Sequence, residues 1–135
     1  MSDDMNDWRE LREFAGVKLG ESFVLSWTFH GDSLCIDLDL CLAPEHSFYE
    51  EPRPSEGECI RAAILEFPCC RRIADLANPA DGDMSRDALI AAAASLGIGR
   101  IEGLRRVGDG QYEFSGRFGQ VRIDAERPLV RLKDA

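Results

Sequence analysis

Two runs of alternating residues, divided by four residues that favour a turn, constrain this chain more than any other feature. From Ser22 to His30 the apolar residues Phe23, Leu25, Trp27 and Phe29 alternate with Ser22, Ser26, Thr28 and His30, and only Val24 breaks the pattern. From Leu34 to Leu42, Leu34, Ile36, Leu38, Leu40 and Leu42 alternate with Cys35, Asp37, Asp39 and Cys41. A period of two puts successive side chains on opposite faces of a strand. Between the runs lies His-Gly-Asp-Ser, where Gly31 can take the positive φ that a two-residue type II′ turn requires at its first central position. A turn there places Phe29 opposite Leu34, Trp27 opposite Ile36, Leu25 opposite Leu38 and Phe23 opposite Leu40. Slipping the register by one residue would set apolar groups against polar ones, so turn chemistry and burial pattern predict the same hairpin.

A hairpin alone is marginal in water and needs further strands. Residues 58–67 permit two readings. Ser55 and Glu58 would make a capping box before a helical face of Ile60, Ala63, Ile64 and Phe67, whereas the position between a loop and Pro68 suits a strand; a strand is expected. Cys70 to Leu76 adds a short strand. The stretch 78–83 is a linker, and Ser85 caps a helix running through Leu96, with Ala88, Ala92, Ala93 and Leu96 on its face and Gly97 as the C′ residue. Ile101–Val107, Gln111–Phe118, Val121–Ala125 and Leu129–Leu132 follow as strands of a meander. A type I′ turn at Asp109-Gly110 would pair Val107 with Tyr112, Arg106 with Glu113, Glu102 with Arg117 and Ile101 with Phe118, leaving Arg105 poorly matched to Phe114. Near the start, Trp8, Leu11 and Phe14 recur every three residues, predicting a short helix from Asn6 to Ala15 stopped by Gly16. The expected fold is α+β: one domain over residues 1–135, mostly antiparallel sheet in a sandwich or half-open barrel, with a short N-terminal helix and one helix near 85–96.

At 135 residues the chain is the size of one domain. Its 16 Lys and Arg against 25 Asp and Glu give a formal charge of −9, which argues against nucleic acid or an anionic membrane as partner, since both require a basic patch. The doublets Arg71-Arg72 and Arg105-Arg106 fit a solvated strand surface. The acidic start MSDDMNDWRELREF and the lack of any apolar run approaching 18 residues suggest a cytoplasmic protein. Cys35, Cys41, Cys59, Cys69 and Cys70 form an odd set without Cys-x-x-Cys spacing, and fit reduced thiols used as small apolar groups.

The candidate chemistry is sparse. Asp37 and Asp39 point the same way at roughly 7 Å, as a two-carboxylate hydrolase would need, but no apolar pocket is evident to raise either pKa; cover of a solvated sheet face is the simpler reading. His30 and His46 are the only histidines. They are too few for a three-histidine metal site, and Glu45, His46 and Glu50 lack rigid spacing for a cation. Cys35 falls beside His30 in projection, a weak basis for a nucleophile pair. No cofactor and no metal are expected. The loop 43–57 is rich in acids and proline, and sets Phe48 and Tyr49 among Glu45, His46, Glu50 and Glu51. Aromatics within a charged rim suit a protein interface, unless the two rings anchor the loop in the core.

The segments FVLSWTFHGDSLCIDLDL and QYEFSGRFGQVRIDAERPLV, with the acidic loop after the first, resemble small strand-rich bacterial domains of unknown function, some of which act as immunity proteins. The resemblance implies a protein that binds another protein and carries no functional residue across. The leading expectation is a non-catalytic domain for a basic protein partner, using Asp37, Asp39 and the loop residues; the alternative is a small-ligand barrel or a hydrolase built on Asp37 and Asp39.

Overall fold

The computed structural model describes residues 6–7, 14–46, 49, 59–75 and 85–133. Among them are nine strands and one α-helix: β1 (Asn6–Asp7), β2 (Phe23–His30), β3 (Ser33–Leu42), β4 (Cys59–Phe67), β5 (Arg72–Asp75), α1 (Arg86–Ser95), β6 (Gly99–Gly108), β7 (Gln111–Gly116), β8 (Gly119–Asp124) and β9 (Leu129–Leu132). The strands form an antiparallel sheet in the order β5-β8-β7-β6-β2-β3-β4-β9, with β1 added beside β6. Residues 59–67 are thus a strand, laid along β3 from Leu34↔Phe67 to Leu42↔Cys59.

The first hairpin keeps its expected register from His30↔Ser33 to Trp27↔Ile36, with Gly31 at φ +62. It then departs from it. A β-bulge between Val24 and Ser26 pairs Val24 with Leu38 and Phe23 with Asp39. Val24 is buried, whereas Phe23 and Leu25, expected inside, are exposed. The single break in the alternation marked this bulge: the extra residue lets the β-branched Val24 take the core place and turns its neighbours outward.

The second hairpin is corrected in the same way. Asp109 keeps a negative φ and only Gly110 is left-handed, at +67, so the turn is not type I′. Bulges at Glu102 and Val107 shift the partners to Arg106↔Tyr112, Arg105↔Glu113, Leu104↔Phe114 and Ile101↔Gly116. The shift sets Leu104 rather than Arg105 against Phe114. β6, β7 and β8 form a meander, but β9 leaves it and pairs with β4 at the far end of the sheet.

The N-terminal helix is also revised where it is described. Asn6 and Asp7 are strand, paired with Arg106 and Arg105. β2 follows β6 only at Gly99 and Arg100, which leaves backbone groups of β6 near Arg105 for another extended segment to satisfy. Residues 8–13 lie outside the described residues. Gly16 does turn the chain, at φ +76. The close approach there would bring a Cβ within 2.8 Å of the His46 Cα.

Ser85 caps α1, its hydroxyl accepting from the Ala88 N–H at 3.1 Å. Leu89 and Ala93 are buried against the sheet. The helix ends through Leu96 in an extended conformation, not through a left-handed Gly97. Gly97 serves close approach instead: its carbonyl accepts the Trp27 indole N–H at 2.6 Å, and a Cβ would meet the Phe118 backbone at 3.5 Å.

The sheet bends back on itself. β4 and β7 are four places apart in strand order, roughly 19 Å in a flat sheet, yet the Phe67 and Tyr112 rings meet edge to face at 5.5 Å. Trp27 on β2 likewise meets Phe114 on β7 at 5.8 Å and Phe118 at 5.3 Å. Leu34, Ile36, Leu38, Leu40, Leu65, Phe67, Ile101 and Phe114, all fully buried, fill the space enclosed.

Candidate functional site

The curl gives β2, β3, β4 and β9 an inner face of core residues and an outer face that carries exposed side chains. Asp37 and Asp39 lie on that outer face. Asp37 is held on two sides: its carboxylate accepts from the Ser26 hydroxyl at 2.9 Å and pairs with the Lys133 ammonium at 3.0 Å. Burial pushes its pKa up, but the hydrogen bonds from Lys133 and Ser26 outweigh that and hold it below the ordinary range. A general acid needs the opposite shift. Asp39 sits between Phe23, expected opposite Leu40, and Ala62.

The bulge adds residues that alternation alone would have hidden inside. Phe23 and Leu25 are each more than two-fifths exposed, as are Ile60 beside Cys41 and Leu129 beside Glu66. The face therefore intersperses apolar side chains with Asp37, Asp39, Lys133 and the Glu66–Arg131 pair, which closes at 2.8 Å. The irregularity at Val24 was the signal in the sequence; Ile60 and Leu129 needed strand pairing to be placed.

The loop residues are distributed differently. Glu45 is exposed and His46 half-buried in the turn after β3, while Tyr49 packs against the core. Phe48, Glu50 and Glu51 lie outside the described residues. Neither Asp37, Asp39 nor His46 lines the depressions around Gly103 and around Phe29. Among the described residues no three of His, Cys, Asp and Glu gather as a metal ion would require, and no helix is long and apolar enough to cross a membrane.

Of the five cysteines, Cys35, Cys41, Cys59 and Cys70 are buried and Cys69 is exposed. Burial pushes the Cys70 thiol up to about 12, and burial followed by the nearby Glu66 carboxylate raises Cys35. Neither is a ready nucleophile.

On the outer face of β6, β7 and β8, Glu113 receives Arg122 at 2.6 Å and Arg105 at 2.9 Å. These bonds hold its carboxyl below the usual range against the effect of burial. Arg72 pairs with Asp124 at 2.9 Å alongside.

Compared with protein-family models, curated proteins and solved structures, the chain matches none.

Proposed function

We propose that the chain is a non-catalytic, cytoplasmic protein-binding domain of immunity type, its sheet curled as a sandwich or half-open barrel, and that its partner is a basic protein. The observation that carries this reading is the outer face of β2, β3, β4 and β9, where Phe23, Leu25, Ile60 and Leu129 stand exposed around Asp37 and Asp39. Apolar anchors supply affinity once water is excluded, and acids around them select a partner of opposite sign. Glu45, exposed in the turn after β3, adds a further negative charge beside this face. The filled interior favours a surface function over an enclosed ligand.

The test is a pull-down from the native host, followed by association kinetics with the purified partner. Substituting Glu45, Glu50 and Glu51 by Gln should slow association and weaken its salt dependence, because exposed charges are screened beyond about 8 Å at physiological ionic strength. Leu25→Ser should speed dissociation. A partner indifferent to salt, to the loop charges and to Leu25 would overturn the reading. So would turnover of a small substrate that Asp37→Asn abolishes.

A further inference from the structure

Three backbone hydrogen bonds pin the corner after β4 to the end of β8 and to the β6–β7 turn. The Glu126 N–H donates to the Pro68 carbonyl at 2.8 Å, the Arg71 N–H to the Asp124 carbonyl at 2.8 Å, and the Ala125 N–H to the Gly110 carbonyl at 2.9 Å. A depression of about 360 Å³ lies over this corner, lined by Cys69, Arg71, Gly110, Ala125 and Glu126. Its size falls within the range of small-ligand pockets, about 300–1,000 Å³. It carries one charge of each sign, held at different places. The Arg71 guanidinium lies toward Gly110, where a Cβ would come within 3.9 Å of Nη2. The Glu126 carboxylate lies toward Cys69 and accepts a hydrogen bond from its thiol. Although both line one depression, Arg71 and Glu126 form no ion pair with each other, and neither has an ion-pair partner among the other described residues. Arg86 and Asp32, beyond the corner, face each other at 3.9 Å and add no net charge.

We propose that this depression binds an α-amino acid as its zwitterion, the carboxylate on Arg71 and the ammonium on Glu126. A guanidinium and a carboxylate that share a depression without pairing present the charge pattern of a zwitterion in reverse. Their balance leaves no net attraction for a simple anion or a simple cation. Guanidinium donors match a carboxylate in geometry as well as charge, and the two oxygens of Glu126 have lone pairs enough to take an ammonium while keeping the Cys69 thiol. Gly110 and Ala125, the smallest residues of the lining, leave room between the charges for the amino acid's Cα. Cys69 is the only non-glycine residue with positive φ among the described residues, at +52. A side chain held in that sparsely populated region is a recurrent mark of binding sites. The site is separate from the face proposed for the protein partner and does not depend on it.

L-alanine is the probe. Propionate, which lacks the ammonium, and ethylamine, which lacks the carboxylate, are the comparators, all at neutral pH and constant ionic strength. In the unaltered protein the backbone amide resonances of residues 69–71, 110 and 125–126 should shift saturably with L-alanine, with a Kd on the order of 1 mM. Each comparator, having lost one charge-assisted contact, should bind roughly tenfold more weakly. Arg71→Gln and Glu126→Gln, both at exposed positions, should each weaken L-alanine binding by a similar factor with an unchanged circular dichroism spectrum. The proposal is overturned by shifts that do not saturate, by equal affinity for L-alanine and either comparator, or by unaltered affinity in either variant. The comparators are applied to the unaltered protein and so decide the matter even if a variant folds poorly.

Discussion

Replacing Trp27 by phenylalanine would keep most of the buried ring and remove the N–H that the Gly97 carbonyl accepts at 2.6 Å. A loss of about 0.5–1.5 kcal/mol is expected, the net worth of one hydrogen bond whose acceptor residue water can reach. Trp27→Ala would also empty the space against Phe114 and Phe118 and should cost about 3–5 kcal/mol. Urea denaturation followed by circular dichroism measures both, and equal midpoints for the two variants would contradict the packing described. Glu113 tests the charge cluster on the other half of the sheet. Its folded pKa is depressed by Arg122 and Arg105, so the unfolded chain takes up the proton more readily. The stabilisation is complete above the ordinary carboxylate value of 4.5 and is lost as pH falls through the lower folded value. Glu113→Gln should therefore lose about 1 kcal/mol at neutral pH, a modest figure because Arg105 is half-exposed. The difference should vanish in acid. A gap between the two proteins that is independent of pH would refute the assignment.

The elements show where sequence reasoning succeeds and where it stops. Alternation and turn chemistry located β2, β3 and α1 closely and β4 to β9 to within a few residues, because side-chain period and glycine placement are local properties. Register beyond a few pairs from each turn was not legible. One extra residue at Leu25, Glu102 or Val107 reverses every face after it, and only the first of these bulges left a local mark, the break in alternation at Val24. The partner of β9 was hidden for a similar reason, since pairing with β4 depends on the curl of the whole sheet. The outer-face acids Asp37 and Asp39 were legible as a pair, but the apolar side chains around them depended on the bulge. The bulge makes a sharp prediction. Val24→Ala should cost about 2 kcal/mol, whereas Leu25→Ser, at an exposed position, should stay within about 0.5 kcal/mol. A regular strand would give the reverse order in thermal denaturation.

At the scale of the molecule, 25 acids against 16 bases give a charge of −9. Association with the proposed basic partner should accordingly slow on Glu45→Gln without loss of stability, since Glu45 is exposed and stands apart from the Glu66–Arg131 and Glu113–Arg122 pairs that brace the sheet. The rates should scale with the number of loop acids neutralised, as electrostatic encounter requires. The placement of β9 has a different implication. Its residues Leu129 to Leu132 cover β4 from Ala63 to Glu66, and β4 has the apolar stretch Ala62-Ala63-Ile64-Leu65 at its centre. A chain cleaved after Arg127 would bare a row of unpaired N–H and C=O groups on that stretch, the template on which strands of other molecules stack into fibrils. Such a product should acquire thioflavin T fluorescence on incubation, and Ile64→Lys should suppress it. On that expectation the four residues of β9 guard the sheet edge against self-assembly, and a protease that removes them would turn the sheet into a seed.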